Sequence, residues 1–368
     1  MTVENGANGA SRVTGANGSD REAAGQSATG EVVRRDRTPI LERIKKHAWK
    51  FEGRDIPLGV GCAYFGAAAD YRETLPGDLK LLERLYNLGF RYFDTSRSYG
   101  NSEQAVGELI SRIDRNSIFL ATKSKFPFRG EDGAYGKGAR GRSERFNDAF
   151  ETFKRNFYES FKRLKTDHID LFQIHDTDNY DACEGQVLPF LLEQRDKGLI
   201  DYIGFGTRSL NTHEMAIRSG LVDSALSYIN YSLLKRSAAN VITLAKERGV
   251  AFINASVLHF GVIKHPNPRG PDPHRESRGG YYARQLEQVA PLQDLCREMG
   301  VDIVHASLQY SLFNPGIAMT LNGIRRDANI DSTVAAMRAV IHPEQWARIA
   351  ALREADQRLY TQDDLDYA

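Results

Sequence analysis

At 368 residues, with 41% hydrophobic and 26% charged side chains, the chain is long enough to bury one large α/β core or two smaller ones. Its 49 Lys and Arg stand against 48 Asp and Glu, so there is no excess charge for a polyanion and nucleic acid is not an expected partner. No apolar run is long enough to cross a bilayer, no basic-then-apolar leader opens the chain, and the scattered Cys62, Cys183 and Cys296 form neither a metal cluster nor a disulfide framework, which suggests a cytoplasmic protein.

Residues 1–30 are rich in Gly, Ala, Asn and Ser and carry almost nothing large to bury, so they read as a disordered tail. Residues 31–55 form an N-terminal extension, in which "RTPILERIKKHAWKF" has the spacing of a short amphipathic helix after Pro39. From Ile56 onward, short apolar runs alternate with helix-periodic stretches. The apolar runs are "IPLGVG", "RYFDT", "SIFLATK", "HIDLFQIH", "DYIGFG", "VDSALSYI", "VAFINAS" and "GIAMTLNG", each followed by a helical pattern such as "SEQAVGELISR" or "NTHEMAIRSG". Continuous apolar strands belong to a parallel sheet covered on both faces. Gly89, Gly198, Gly220, Gly249 and Gly300 stand where helices should end. Eight strand–helix units predict an α/β fold of the (β/α)₈ TIM-barrel type over residues 56–345, with a C-terminal tail at 346–368. "GVGCAYFG", Gly59 to Gly66, only partly matches a dinucleotide-binding G-x-G-x-x-G, and the open doubly wound sheet is the weaker alternative.

A barrel carries its chemistry at the C-terminal ends of its strands. Strand two ends in Asp94, with Tyr99 just beyond; strand three ends in Lys123 and strand four in His175. Each has an ordinary explanation alone: a turn aspartate, a packing tyrosine, a solvated lysine, a satisfied core histidine. Together they converge on one side of the mouth. Asp94 is placed to pair with Lys123, and the lysine is expected to lower the pKa of Tyr99 by favouring phenolate. His175 is placed to hydrogen-bond the same substrate oxygen as the tyrosine. Such a group can exchange a proton with a carbonyl or alcohol oxygen. With no metal set and no thiol nucleophile, hydride is left to an organic cofactor.

"YFDTSRSYGNSE", "FLATK" and "DLFQIHD" closely resemble the three signature segments of the aldo-keto reductases, (β/α)₈ barrels that bind a nicotinamide cofactor without a Rossmann motif. The resemblance runs from about Ile56 to about Val340, and "ESFKRLKTDHIDL" matches the family's run between third helix and fourth strand. It implies that Asp94, Tyr99, Lys123 and His175 are the catalytic tetrad, with Gly100 and Ser102 shaping the turn beside Tyr99. "LSYINY", "INASVLHFGVI" and "ASLQYSL" are similar to the branch of sugar dehydrogenases that oxidise L-galactose or D-threo-aldoses at C1. The implied activity is an NAD(P)-dependent interconversion of alcohol or hemiacetal with carbonyl or lactone on a small carbohydrate-like substrate. A cofactor-binding regulatory or partner subunit with little turnover is the alternative.

The resemblance also implies cofactor contacts, with departures. Gly206-Thr207 stands where many members have Ser-Asn, Tyr228 replaces a frequent Gln, and Ala255 replaces a Tyr that stacks on nicotinamide. Thr207 can still donate and accept a hydrogen bond. Tyr228 either gives the nicotinamide an aromatic contact or is a core tyrosine. Ser256, Leu258 and Gly261 fall in the loop that wraps the pyrophosphate. Gly323, Arg325 and Arg326 fall where the adenosine ribose is held. The arginines suit the 2′-phosphate of NADP or are solvated, and Asn329 and Thr333 replace residues that support NADP. The branch resemblance leans to NAD, and it covers more segments. Two long loops, beginning "KFPFRGED" and "KHPNPRGP", are expected to contact substrate.

Overall fold

The computed structural model describes residues 38–66, 71–126, 146–272 and 279–355, together with Gly25–Gln26 paired antiparallel to Val32–Val33. The rest of the expected disordered tail, most of the "KFPFRGED" loop, six residues of the "KHPNPRGP" loop and positions 356–368 lie outside the described residues.

Eight strands form a closed parallel barrel in chain order: β1 (Leu58–Gly61), β2 (Tyr92–Asp94), β3 (Phe119–Lys125), β4 (Ile169–His175), β5 (Ile200–Gly206), β6 (Ser224–Tyr228), β7 (Ala251–Ala255) and β8 (Met319–Gly323). Strand β8 closes onto β1 with Thr320 opposite Leu58. The strands are almost wholly buried, as their unbroken apolar runs require under a helical coat. Strand β3 runs past its expected end, because Ser124 and Lys125 still pair with Ile174 and His175 of β4. Lys123 therefore sits inside the strand, not at its tip.

Helix α1 (Ile40–Lys46) begins after Pro39, whose carbonyl accepts the N–H groups of Glu42 and Arg43. Its Ile40 and Ile44 pack against Tyr92, Phe119, Leu171, Tyr202 and Met319, filling the interior from the N-terminal end. Hairpin strands Trp49–Phe51 and Arg54–Ile56 follow. Trp49 stacks on Phe90 at 4.3 Å between ring centroids. The outer coat is α2 (Tyr71–Asn87), α3 (Ser102–Ile110), α4 (Phe146–Leu164), α5 (Leu188–Asp196), α6 (Leu210–Ser219), α7 (Ala239–Glu247), α8 (Gly279–Glu298), α9 (Ile303–Leu312) and α10 (Asp327–Arg338). Helix α6 stops at Gly220, whose φ of 71° is left-handed and costs glycine little. Helix α11 (Pro343–Ala355) crosses the boundary placed at residue 345, and its Ile349 is buried beneath α8 and α9.

Candidate active site at the barrel mouth

Register aligns the polar side chains. Asp94 lies level with Gly61 and Ala121, and Lys123 lies level with Gln173. Lys123 is 1% exposed, and its Nζ donates to Asp94 Oδ1 and, at 2.8 Å, to the Thr95 carbonyl. Gln173 Nε2 donates to the other oxygen of Asp94 at 3.2 Å. The lysine stem fits because position 206 is glycine: a Cβ there would stand 2.8 Å from Lys123 Cδ. Asp94 is raised by burial, against the pull of Lys123 and Gln173.

Tyr99 stands over this pair on a tight turn. Its N–H donates to the Ser96 carbonyl at 3.1 Å, and its carbonyl accepts from the Ser102 N–H at 3.1 Å. Ser102 Oγ donates to the Cys62 carbonyl at 2.7 Å and receives the Thr95 hydroxyl at 2.7 Å, pinning the turn to the end of β1. The Tyr99 ring centroid lies 5.1 Å from Lys123 Nζ, and the His175 ring meets it edge-on at 5.4 Å. His175 Nδ1 bonds Ser96 Oγ at 2.8 Å, leaving Nε2 directed toward Asp176 Oδ2 at 3.6 Å.

The electrostatics correct one expectation. Tyr99 is raised well above its ordinary value, not lowered: burial is the main cause, followed by the carboxylates of Asp94 and Asp176. Lys123, paired with Asp94, does not outweigh them. His175 is pushed down to about 3, chiefly by burial and secondarily by Lys123 and Lys125, while Asp176 opposes the shift. The imidazole is therefore neutral near pH 7.

Asp94, Tyr99 and His175 open onto a cavity of about 600 Å³ that also reaches Tyr228, Ser256, Leu258, Gly261, Gly323, Arg325 and Arg326. Most of the residues expected to contact cofactor thus line one space. Thr207 departs from that expectation: it is 2% exposed and absent from the lining, its hydroxyl donating to the Thr177 carbonyl at 2.9 Å and accepting the Ser209 N–H. Sequence reasoning missed Tyr64, Asp176, Phe260, Lys264 and Asn322, which share the wall. Only Asp176 carried a signal, as the acid directly after His175.

The cavity wall also carries cations suited to an anionic cofactor. Lys264, Arg325 and Arg326 all line it, the two arginines directly before α10. Arg325 lies 5.4 Å over the Tyr64 ring, and Asn329 Oδ1 accepts its backbone N–H at 3.1 Å. Near the tetrad the wall is Ala255, Leu226, Tyr228 and Phe260, suited to a flat ring. A second group, His168, Asp170 and Asp201, lies at the opposite end of the barrel, where Arg43 and Arg115 pair with Asp170 at 3.1 and 2.7 Å.

Comparison with known proteins follows the same outline. The aldo/keto reductase family model matches residues 57–354. L-galactose dehydrogenase of Arabidopsis thaliana is 27% identical over 261 residues, covering 68% of this chain and 75% of the plant protein. D-threo-aldose 1-dehydrogenase of a Pseudomonas species is 25% identical over 334 residues, covering 82% of this chain and 95% of that one. Among solved structures, an aldo-keto reductase from Bacillus halodurans in its holo form superposes with a TM-score of 0.61 at 23% identity, covering 83% of this chain and 95% of the other.

Proposed function

The chain belongs to the aldo/keto reductase family of NAD(P)-dependent oxidoreductases, and on that premise we propose that it interconverts the carbonyl and alcohol of a hydroxylated, sugar-like substrate with Tyr99 as general acid and base. The observation that carries this reading is the half-buried Tyr99 phenol set over the buried Lys123–Asp94 pair, with a neutral His175 edge-on to it, in a cavity that three cations also line.

A nicotinamide cofactor supplies or takes up the hydride when it is bound. For reduction, Tyr99 starts protonated, as its raised pKa ensures, and passes that proton to the carbonyl oxygen as negative charge develops there. Lys123 lies beneath the ring and stabilises the phenolate left behind, while Asp94 and Gln173 hold Lys123 in place. His175 is a hydrogen-bond partner for the same oxygen and not a proton source, because an imidazole with a pKa of about 3 carries no spare proton near pH 7. Oxidation reverses these steps, with Tyr99 receiving the hydroxyl proton. The names of the two dehydrogenase relatives and the polar wall of Asp176 and Tyr228 support a hydroxylated substrate.

For the cofactor, the cavity's own residues favour NADP. The lean to NAD rests on branch resemblance alone, whereas the cavity wall carries Lys264, Arg325 and Arg326, cations that suit a 2′-phosphate. The test is an assay at the absorbance band of reduced nicotinamide with hydroxylated aldehydes and sugars, combined with titration of both dinucleotides. Turnover is expected, and Arg325→Ala/Arg326→Ala is expected to weaken NADP about ten- to hundredfold and NAD little. No turnover with either dinucleotide contradicts the functional reading, and equal weakening of both contradicts the cofactor assignment.

A further inference from the structure

Among the described residues, Asp176 is the one acidic side chain of the cavity wall that the tetrad does not account for. It follows directly on β4, in a left-handed backbone conformation with φ of 45°, and its N–H donates to the Gly206 carbonyl at 2.9 Å. Asparagine, aspartate and glycine tolerate that conformation best. The strained turn aims the carboxylate back into the cavity instead of letting it follow the strand outward. Oδ1 accepts the Tyr228 hydroxyl at 2.9 Å, and Oδ2 is 3.2 Å from Lys125 Nζ and 3.6 Å from His175 Nε2. Burial would raise the carboxyl, but His175, Lys125 and Tyr228 hold it below its ordinary value, so it stays an acceptor without a proton to donate. An ionised carboxylate has room for about four hydrogen bonds, and these contacts leave part of that capacity facing the cavity.

The position is informative because Oδ2 lies 3.6 Å from His175 Nε2, the atom the reading above sets beside the reacting oxygen. A hydroxyl on the carbon next to the reacting carbon would then come within reach of Asp176. We propose that Asp176 is a specificity-determining residue, whose carboxylate accepts a hydrogen bond from a hydroxyl on the carbon adjacent to the reacting carbon and repels substrates that carry an anion there. The inference rests on the oxidoreductase reading above and adds to it the residue that selects hydroxylated substrates. A charge-assisted hydrogen bond is about twice as strong as a neutral one, so losing the charge weakens selection even where shape is kept.

The experiment compares wild type with Asp176→Asn, which keeps the size and tolerates the left-handed backbone, using NADPH and three aldehydes. Glyceraldehyde carries the adjacent hydroxyl, propanal carries none, and glyoxylate carries an adjacent carboxylate. Ratios of kcat/KM are read, so that any general loss through His175 cancels. The glyceraldehyde-to-propanal ratio is expected to fall about tenfold in the variant, and the glyoxylate-to-propanal ratio to rise. Unchanged ratios overturn the inference while leaving the oxidoreductase reading intact. Absence of turnover in wild type with every aldehyde and either dinucleotide overturns both. Should the variant fail to fold, wild type decides: a glyceraldehyde preference over propanal below about tenfold, or glyoxylate used as well as propanal, overturns the inference.

Discussion

Lys123 is gripped by oxygen on two sides, the Asp94 carboxylate and the Thr95 carbonyl at 2.8 Å, and faces the ring of Tyr99 at 5.1 Å. Its charge is therefore largely matched by Asp94, and Tyr99 feels a near-neutral pair together with its own desolvation. Burial then decides, and the phenol is raised. That the four side chains share a site was legible from their places at consecutive strand ends. The sign of the tyrosine shift was not, because a list of residues does not say which cation is already paired. Ser96, which positions His175 through a 2.8 Å hydrogen bond, is one of several hydroxyls in "DTSRSYGNS", and nothing local distinguishes it. Thr207 shows the reverse: a side chain able to bind a carboxamide is turned toward Thr177 by the path of the chain after β5.

Helix α3 starts at Ser102, the residue that pins the Tyr99 turn, and leans on α4 at Gly107. A Cβ at Gly107 would lie 2.2 Å from the Arg163 carbonyl oxygen and 3.0 Å from the Leu164 carbonyl carbon. The two helices are also bound by buried Glu103, which accepts Arg163 Nε at 2.6 Å and the Thr122 hydroxyl at 2.7 Å. Alanine in an exposed helix would gain about 1 kcal/mol over glycine, but this site is closed by backbone, and overpacking there costs about 1–3 kcal/mol. Gly107→Ala is therefore expected to lower Tm by several degrees in a thermal melt and to reduce turnover through displacement of the turn. An unchanged or higher Tm contradicts the close approach. The existence and order of the elements followed from hydrophobic period and helix-ending glycines, which local chemistry sets. The extra residues of β3 and the reach of α11 past residue 345 did not, because pairing with β4 and packing under α8 and α9 set those limits.

At the scale of the molecule, the barrel closes around buried histidines. His175, His213 and His259 are pushed down to about 3, 4 and 3, each chiefly by burial, and His47 beneath the barrel is lowered for the same main reason. As pH falls below the ordinary histidine value of 6.5, the unfolded chain takes up protons that the folded chain refuses. The stability these groups contribute is complete above that value and is lost on acidification toward their folded values. Each of the three loses roughly 2 kcal/mol by pH 5. Asp94 and Asp223, raised by burial, act in the opposite sense between their ordinary value of 3.8 and their folded values, and so offset part of the loss from the histidines. Tm is expected to fall steadily from pH 6.5 to pH 5 in calorimetry, and a level Tm across that range contradicts the histidine assignment.

The role of Tyr99 is tested most directly by removing one oxygen atom. Tyr99→Phe keeps the ring against His175 and above Lys123 and deletes the group assigned to move the proton. General acid–base groups contribute about 10²–10⁴ in rate, so kcat is expected to fall at least a hundredfold, while the Kd for NADPH stays within about threefold because the cations lining the cavity are untouched. A variant that binds NADPH and retains a kcat near that of wild type would contradict the account.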